Sequence, residues 1–241
     1  MQTWLLMNQK RIEGAKTLPY WIQDNRKIVE KAMSDADKEK QLDAAIKETS
    51  QKAHAVGEEV QSLAESIASK YEAACTPINY KSEASIKRKV LAERAEDEPN
   101  FSPDMLKDAV RTTIIAPKDK IADVIEELRK NNLFLRHKPQ GGVEYIGYTG
   151  DIINIKTTNG LTAEIQVNTA KMIYAKELPE NARKILGDKL WNNIHKEVGV
   201  EGGLGHKYYE EWRVMSKAEQ CSAMGEALKK KSEEYYAYFR D

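Results

Sequence analysis

Only two cysteines, Cys75 and Cys221, occur in the 241 residues, and no CxxC pair is present. That excludes a disulfide scaffold and a cysteine-based zinc site, and it fits a reducing compartment. Net charge is absent as well, since 38 Lys and Arg balance 38 Asp and Glu. A zero sum argues against a generally basic coat for nucleic acid but says nothing about local patches. Long hydrophobic runs are missing. The apolar stretch Trp4–Met7 is too short for the core of a secretory signal, and nothing approaches a bilayer span. The chain reads as soluble and without a membrane partner, and export would need a route other than a Sec signal. There is no internal repeat and no HxxxH-like zinc spacing.

What is present suffices for a packed core and a well-solvated surface, with 41% apolar and 32% charged residues. The length allows one large domain, or a catalytic domain with a helical extension. Leu42, Ala45, Ile46, Thr49, Ala53 and Val56 recur at spacings of three and four. So do Val60, Leu63, Ala64, Ile67, Ala68 and Tyr71. These predict a helical region over 1–76, interrupted near Thr17-Leu18-Pro19, and a second unit over 77–241.

In the second unit a helix is expected from Lys81 to Glu96, and Ser102-Pro103 signals another helix start. Ala109–Ala116 is rich in β-branched residues and reads as a buried strand. Lys120–Lys130 reads as an amphipathic helix and Leu133–Lys138 as a second strand, so the sheet should be parallel or mixed with a crossover helix. Asp151–Thr157 and Leu161–Asn168 form a hairpin. A two-residue Asn159-Gly160 turn would mix polar and apolar faces. A three-residue loop, Thr158-Asn159-Gly160, pairs Asn154 with Glu164 and Ile153 with Ile165, which keeps one face apolar and requires Gly160 in the left-handed region. Four glycines between Gly199 and Gly205 predict a mobile loop, and Lys207–Phe239 a single long helix.

Five groups of residues could carry chemistry. On a helix, Lys81, Ser85, Arg88 and Lys89 share a face whose cations and hydroxyl suit a triphosphate, although a solvated basic face explains them equally well. Asp108 stands at the mouth of an apolar strand with Arg111 three residues on, and needs a metal or an arginine as partner unless it merely ends a helix. Glu164 and Gln166 alternate outward from a strand, as on any exposed face. Two acids on neighbouring strands are, however, what magnesium-dependent phosphoryl transfer requires. In Gly147-Tyr148-Thr149-Gly150 the tyrosine could stack on a base or simply pack. His206 and Lys207 follow a glycine at a helix start, a place for a phosphate contact or a proton carrier. His54, His137 and His195 lack such company and read as structural.

The order of these motifs is more specific than any one of them. Lys-Ser-x-x-Ser-Ile-x-x-Lys on a helix is followed by Asp-x-x-Arg opening a strand, then Gly-Tyr, then Glu-Ile-Gln-x-x-Thr, then Gly-His-Lys-x-Tyr. Over roughly 81–213 this series resembles the RelA/SpoT-type (p)ppGpp synthetase domain, most of all the small alarmone synthetases and their toxic relatives. The resemblance implies an α+β fold, a nucleotidyltransferase-like mixed sheet flanked by helices, here with an N-terminal helical extension and a long C-terminal helix.

It also implies an ATP-dependent pyrophosphokinase that moves the β,γ-pyrophosphate of ATP to a ribose hydroxyl, usually the 3′-hydroxyl of a guanine nucleotide. Asp108 and Glu164 would be catalytic and hold Mg2+, with Glu164 helping to deprotonate the hydroxyl. Lys81, Ser85, Arg88, Lys89 and Arg111 would bind the ATP phosphates. Tyr148, Asn154, Gln166, His206 and Lys207 would serve the acceptor. Two departures stand out. Gly147-Tyr148-Thr149-Gly150-Asp151-Ile152 replaces the family's Gly-Tyr-x-Ser-x-His, which leaves the acceptor open between guanine and adenine nucleotides. The interval from Asp108 to Arg111 is shorter than the family's.

No hydrolase or C-terminal regulatory region is recognisable. An unregulated synthetase of this kind suits a toxin or effector acting in a bacterial cytoplasm, with delivery into another cell open to it and an immunity or antitoxin protein as partner. Two alternatives compete with a (p)ppGpp or (p)ppApp synthetase. One is a pyrophosphokinase of the tRNA 3′ end, for which Lys229-Lys230-Lys231 is the further basic cluster. The other is a non-catalytic nucleotide-binding or scaffold module.

Overall fold

The computed structural model describes residues 20–96, 98–141 and 145–240, with side chains from residue 31 onward except 32 and 33. The Trp4–Met7 run and the break near Thr17–Pro19 lie outside the described residues. Helix α1 (Tyr20–Ala55) and helix α2 (Gly57–Ala68) form the N-terminal region. Two short strands, β1 (Ala74–Cys75) and β2 (Asn79–Tyr80), lead into α3 (Glu83–Glu96). Then come β3 (Val110–Ile115), α4 (Ile121–Lys130), β4 (Phe134–Gln140), β5 (Gly150–Lys156) and β6 (Thr162–Asn168). Five helices close the chain: α5 (Ala170–Lys176), α6 (Pro179–Val198), α7 (Leu204–Arg213), α8 (Lys217–Gln220) and α9 (Ala223–Ala237). No described helix is long and apolar enough to cross a membrane.

The sheet runs β1-β3-β6-β5-β4, with β2 also on β3. β3 and β6 are parallel, while β6–β5 and β5–β4 are antiparallel. The sheet is therefore mixed, and the crossover β3–α4–β4 spans the β5–β6 hairpin instead of joining neighbours. Alternation fixes which face goes inward. Val110, Ile114, Ile153, Ile155, Ala163, Ile165 and Val167 pack against Leu42, Ile46 and Ala53 of α1, Val60, Ala64 and Ile67 of α2, and Val124 and Leu128 of α4. Each Val, Leu or Ile side chain buried there contributes about 1.5–3 kcal/mol. A one-residue slip would send Glu164, Gln166 and Asn154 into that core and expose the isoleucines. The observed hairpin has Asn154 opposite Glu164, Ile153 opposite Ile165, and Gly160 at φ +89°, the three-residue-loop register.

Residues on both sides of position 76 share this core. A second cluster gathers Met172, Tyr174, Trp191, Tyr208, Tyr235 and Phe239 from the C-terminal helices around Ile146.

Local chemistry moved four sequence expectations. Helix α3 starts at Glu83 because Ser82 caps it, its hydroxyl accepting from Ser85 N at 3.3 Å, so Lys81 precedes the helix. Ser102-Pro103 opens only one 3-10 turn, Pro103–Met105. The stretch Lys207–Phe239 is not one long helix, since Ser216 and Ser222 each accept a backbone N–H from three residues on and restart it as α8 and α9. The Gly199–Gly205 segment is packed, not open. A Cβ on Gly202 would lie 2.7 Å from Tyr174 O, and one on Gly205 would lie 2.1 Å from Tyr236 Oη. Gly202, Gly203 and Gly205 serve close approach, while Gly199, with nothing within 4 Å of an added Cβ, caps α6 at φ +67°.

Candidate active site

Asp108 sits between two lysines. Lys81 Nζ is 2.9 Å from its Oδ2 and Lys89 Nζ 3.1 Å from its Oδ1, so both carboxylate oxygens are engaged. Backbone pairing sets this up. Lys81 N donates to Ala109 O at 2.9 Å, which brings Lys81 level with the residue before, and Lys89 reaches across from α3. The carboxylate is 14% exposed. Burial, the largest single effect, opposes its ionisation, but hydrogen bonds and charge from Lys81 and Lys89 together outweigh it and hold the pKa below the ordinary 3.8. Asp108 is a fixed anion.

The basic run on α3 divides its labour. Lys87 bonds Glu39 at 3.0 Å and Asp43 at 2.9 Å, tying α3 to α1. Ser85, half-buried, accepts from Ser82 Oγ at 3.0 Å, and Arg88 is exposed. The expected four-residue helical face is thus three helical residues, with Lys81 joining from the preceding segment.

The outward face of the sheet carries the rest. Arg111 and Glu164 are neighbours on the parallel pair, and Asn154 faces Glu164 from the other side. Glu164 is 8% exposed and accepts from Gln166 Nε2 at 2.7 Å. Asn154 is buried. Its amide donates to Lys107 O at 3.3 Å and to Ala163 O at 3.4 Å, and its oxygen accepts from Arg136 Nε at 2.8 Å. Its side chain therefore ties the backbone just before Glu164 to the backbone just before Asp108. Arg136 was missed in the sequence. The signal was alternation along β4, which puts Arg136 and Lys138 level with Asn154 and Ile152 once the β4–β5 pairing is known.

Tyr148 ends a tight turn, with its N–H on Tyr145 O at 2.9 Å. Both central residues are left-handed, Ile146 at φ +40° and Gly147 at φ +94°. Glycine suits that region, but a β-branched residue there costs about 1–3 kcal/mol. Tyr148 Oη accepts from Asn168 Nδ2 at 2.5 Å, its ring meets Tyr236 edge-on at 5.8 Å, and Lys176 Nζ lies 5.3 Å from its centroid.

His206 and Lys207 lie exposed in the first turn of α7. Among the described residues, His206 is 3.9 Å from Glu210, and no hydrogen bond or ion pair joins either residue to the others named above. His137 does have company: Asp151 at 2.6 Å and Arg129 at 2.6 Å tie β4 to β5 and α4. The described residues contain no cluster of three or more His, Cys, Asp or Glu suited to a metal. Two carboxylates remain, hard oxygen donors of the kind Mg2+ takes when phosphates and water complete its shell. A cleft at the start of β5 and the end of β6 is lined by Lys118, Thr149, Asp151, Asn168 and Arg240, beside the Tyr148 turn and without Asp108 or Glu164.

No family model matches the chain. It is 34% identical over 185 residues to the (p)ppApp synthetase toxin Tas1 of Pseudomonas aeruginosa (strain UCBPP-PA14), a match covering 77% of this chain and 40% of that protein's length. It superimposes with a TM-score of 0.68 and 32% identity on the type VI effector Tas1 crystallised with its immunity protein, covering 82% of this chain and 97% of the other. Small alarmone synthetase 1 from Bacillus subtilis bound to pppGpp gives a TM-score of 0.42 at 19% identity over 66% of this chain and 92% of that one, a likeness too distant to carry weight.

Proposed function

The chain belongs to the RelA/SpoT-type alarmone synthetase family, and from that premise we propose that it transfers the β,γ-pyrophosphate of ATP to the 3′-hydroxyl of an adenine nucleotide, ADP or ATP, yielding (p)ppApp. The observation that carries this reading is the doubly lysine-bound Asp108 at the edge of the sheet face that holds Glu164. The adenine acceptor is supported by the relative's product and by the departure at Thr149–Ile152 from the serine and histidine of the guanine-using pattern.

On this reading Lys81, Lys89 and Arg88 take the ATP phosphates, with Ser85 as a further donor and Arg111 beside Glu164. As phosphates arrive, Lys81 and Lys89 exchange a carboxylate partner for phosphate oxygens, which frees Asp108. Asp108 and Glu164 are the residues that would hold Mg2+, and the ion supplies neutralisation of charge on the phosphates. Glu164 accepts the proton from the attacking hydroxyl. The ribose oxygen bonds to the β-phosphorus, the link from that phosphorus to the α,β-bridging oxygen breaks, and AMP leaves with that oxygen. Tyr148 stacks on the acceptor base, Asn154 and Gln166 hold Glu164 in position, and Lys176 offers a cation to the acceptor phosphates. His206 and Lys207 would join only by a movement of α7.

A toxic role, delivery into another cell and neutralisation by an immunity protein belong to the same proposal, supported by the likeness to Tas1, a toxin and type VI effector crystallised with its immunity protein. A tRNA acceptor fits less well. Lys229 pairs with Glu226, Lys230 with Glu234, and Lys231 lies over the Tyr208 ring, so the basic cluster is interleaved with acids. Labelled ATP incubated with ADP, GDP, GTP, AMP and bulk tRNA tests the assignment. Label should move to adenine nucleotides and be lost in Asp108→Asn and Glu164→Gln; transfer to none of the nucleotides would refute it.

A further inference from the structure

The turn that carries Tyr148 is shaped by a segment more than eighty residues away. Ile146 is held in the left-handed region, and nothing within the turn itself favours that. The opposing contacts come from α9 and from the residues that follow it. Arg240 donates twice to Gly147 O, from Nε at 3.2 Å and Nη2 at 2.7 Å. A Cβ on Gly147 would lie 2.7 Å from Glu233 Cα, so the backbone of α9 presses directly on the turn. Tyr236, near the end of α9 and four residues before Arg240, meets the Tyr148 ring. Phe239 is 1% exposed in the second core, which fixes where Arg240 emerges, and Lys118 Nζ closes the arrangement on Arg240 O at 3.0 Å. None of these contacts reaches Lys81, Lys89 or Asp108.

From this geometry we infer that Arg240 is a positioning residue for the acceptor: its guanidinium locks the Ile146–Gly147 turn and thereby aims the Tyr148 ring, without touching either nucleotide. The inference rests on Tyr148 stacking on the acceptor base. It predicts a split between the two substrates that a general loss of structure would not give. A charged donor pair on one carbonyl is strong, and its loss frees a strained turn, so acceptor affinity should fall by about tenfold on Arg240→Ala. Donor affinity should stay within about twofold, because the donor lysines lie on and just before α3, whose Ile86 and Val90 pack in the first core.

The experiment uses the full chain and calorimetric titration. α,β-Methylene-ATP, whose α–β link cannot be broken in the transfer, is titrated first to measure the donor site. ADP, with GDP in parallel, is then titrated into the saturated protein. Wild type, Arg240→Ala, Arg240→Lys and Tyr148→Ala are compared, with thermal unfolding of each. The expected result is weaker acceptor binding in Arg240→Ala and Tyr148→Ala, partial recovery in Arg240→Lys, and unchanged donor binding throughout. Weakening in Tyr148→Ala alone would overturn the role of Arg240 and leave the acceptor reading standing. No weakening in Tyr148→Ala, or no acceptor binding by the wild type, would overturn the acceptor reading and this inference with it. Equal loss of donor and acceptor binding in Arg240→Ala would reduce Arg240 to a structural residue.

Discussion

Asp108 is asked to be both anchored and available. Two lysines satisfy its charge at 2.9 and 3.1 Å, and on the proposed reading all three groups meet the ATP phosphates and their metal. Removing one lysine leaves the other paired, so Lys89→Ala should fold and should weaken ATP-analogue binding by about tenfold or more, since a charge-assisted contact is worth about 1.5–3 kcal/mol. Titration calorimetry checks this. Asp108 also ties stability to pH. Its folded pKa lies below the ordinary value, so its contribution is present above about 3.8 and is lost as the pH falls through the lower folded value. Acid unfolding of the wild type should therefore steepen in that window, and Asp108→Asn should remove the steepening. Denaturant titrations at pH 3, 4 and 7 would show it, and identical profiles for the two proteins would contradict it. The three-way pairing was not legible in the sequence, because it depends on Lys81 N meeting Ala109 O across strands. The individual residues were legible from their chemistry and order.

The hairpin is the element read most fully from sequence. Its period of two and a single glycine settle both the face of Glu164 and the loop length, because any other register buries polar side chains. The C-terminal helices were read least well. Helix-favouring residues run through Lys207–Phe239, and the breaks come from Ser216 and Ser222 side chains capturing backbone N–H groups, a competition that composition does not reveal. Glycines separate two kinds of cost. At Gly160 nothing lies within 4 Å of an added Cβ, so Gly160→Ala should cost only the conformational penalty, about 1 kcal/mol. At Gly205 the added atom meets Tyr236 Oη at 2.1 Å and Ala175 O at 3.0 Å, so Gly205→Ala should cost more, about 1–3 kcal/mol of overpacking. Midpoints of urea unfolding at constant slope would rank the two, and a larger loss at Gly160 would contradict this packing.

At the scale of the molecule, one core unites the N-terminal helices with the sheet, and a second unites the C-terminal helices with the Tyr148 turn. On the proposed function the donor residues hang from the first and the acceptor turn from the second. The polar sheet face is backed by a side dominated by Val110, Ile114, Ile153, Ile155, Ile165 and Val167, which gives Glu164 and its neighbours a rigid support. The motif order made the family legible. The division of donor and acceptor between two cores was not, since both depend on contacts far apart in sequence. The central claim is pyrophosphate transfer at Asp108 and Glu164. Following ATP labelled at the β-phosphate, alongside ATP labelled at the α-phosphate, tests it most directly. The account predicts β-label on the adenine acceptor in one-to-one ratio with AMP formed, abolished in Asp108→Asn and Glu164→Gln. β-Label released only as free phosphate or pyrophosphate, or transfer undiminished in both variants, would contradict it.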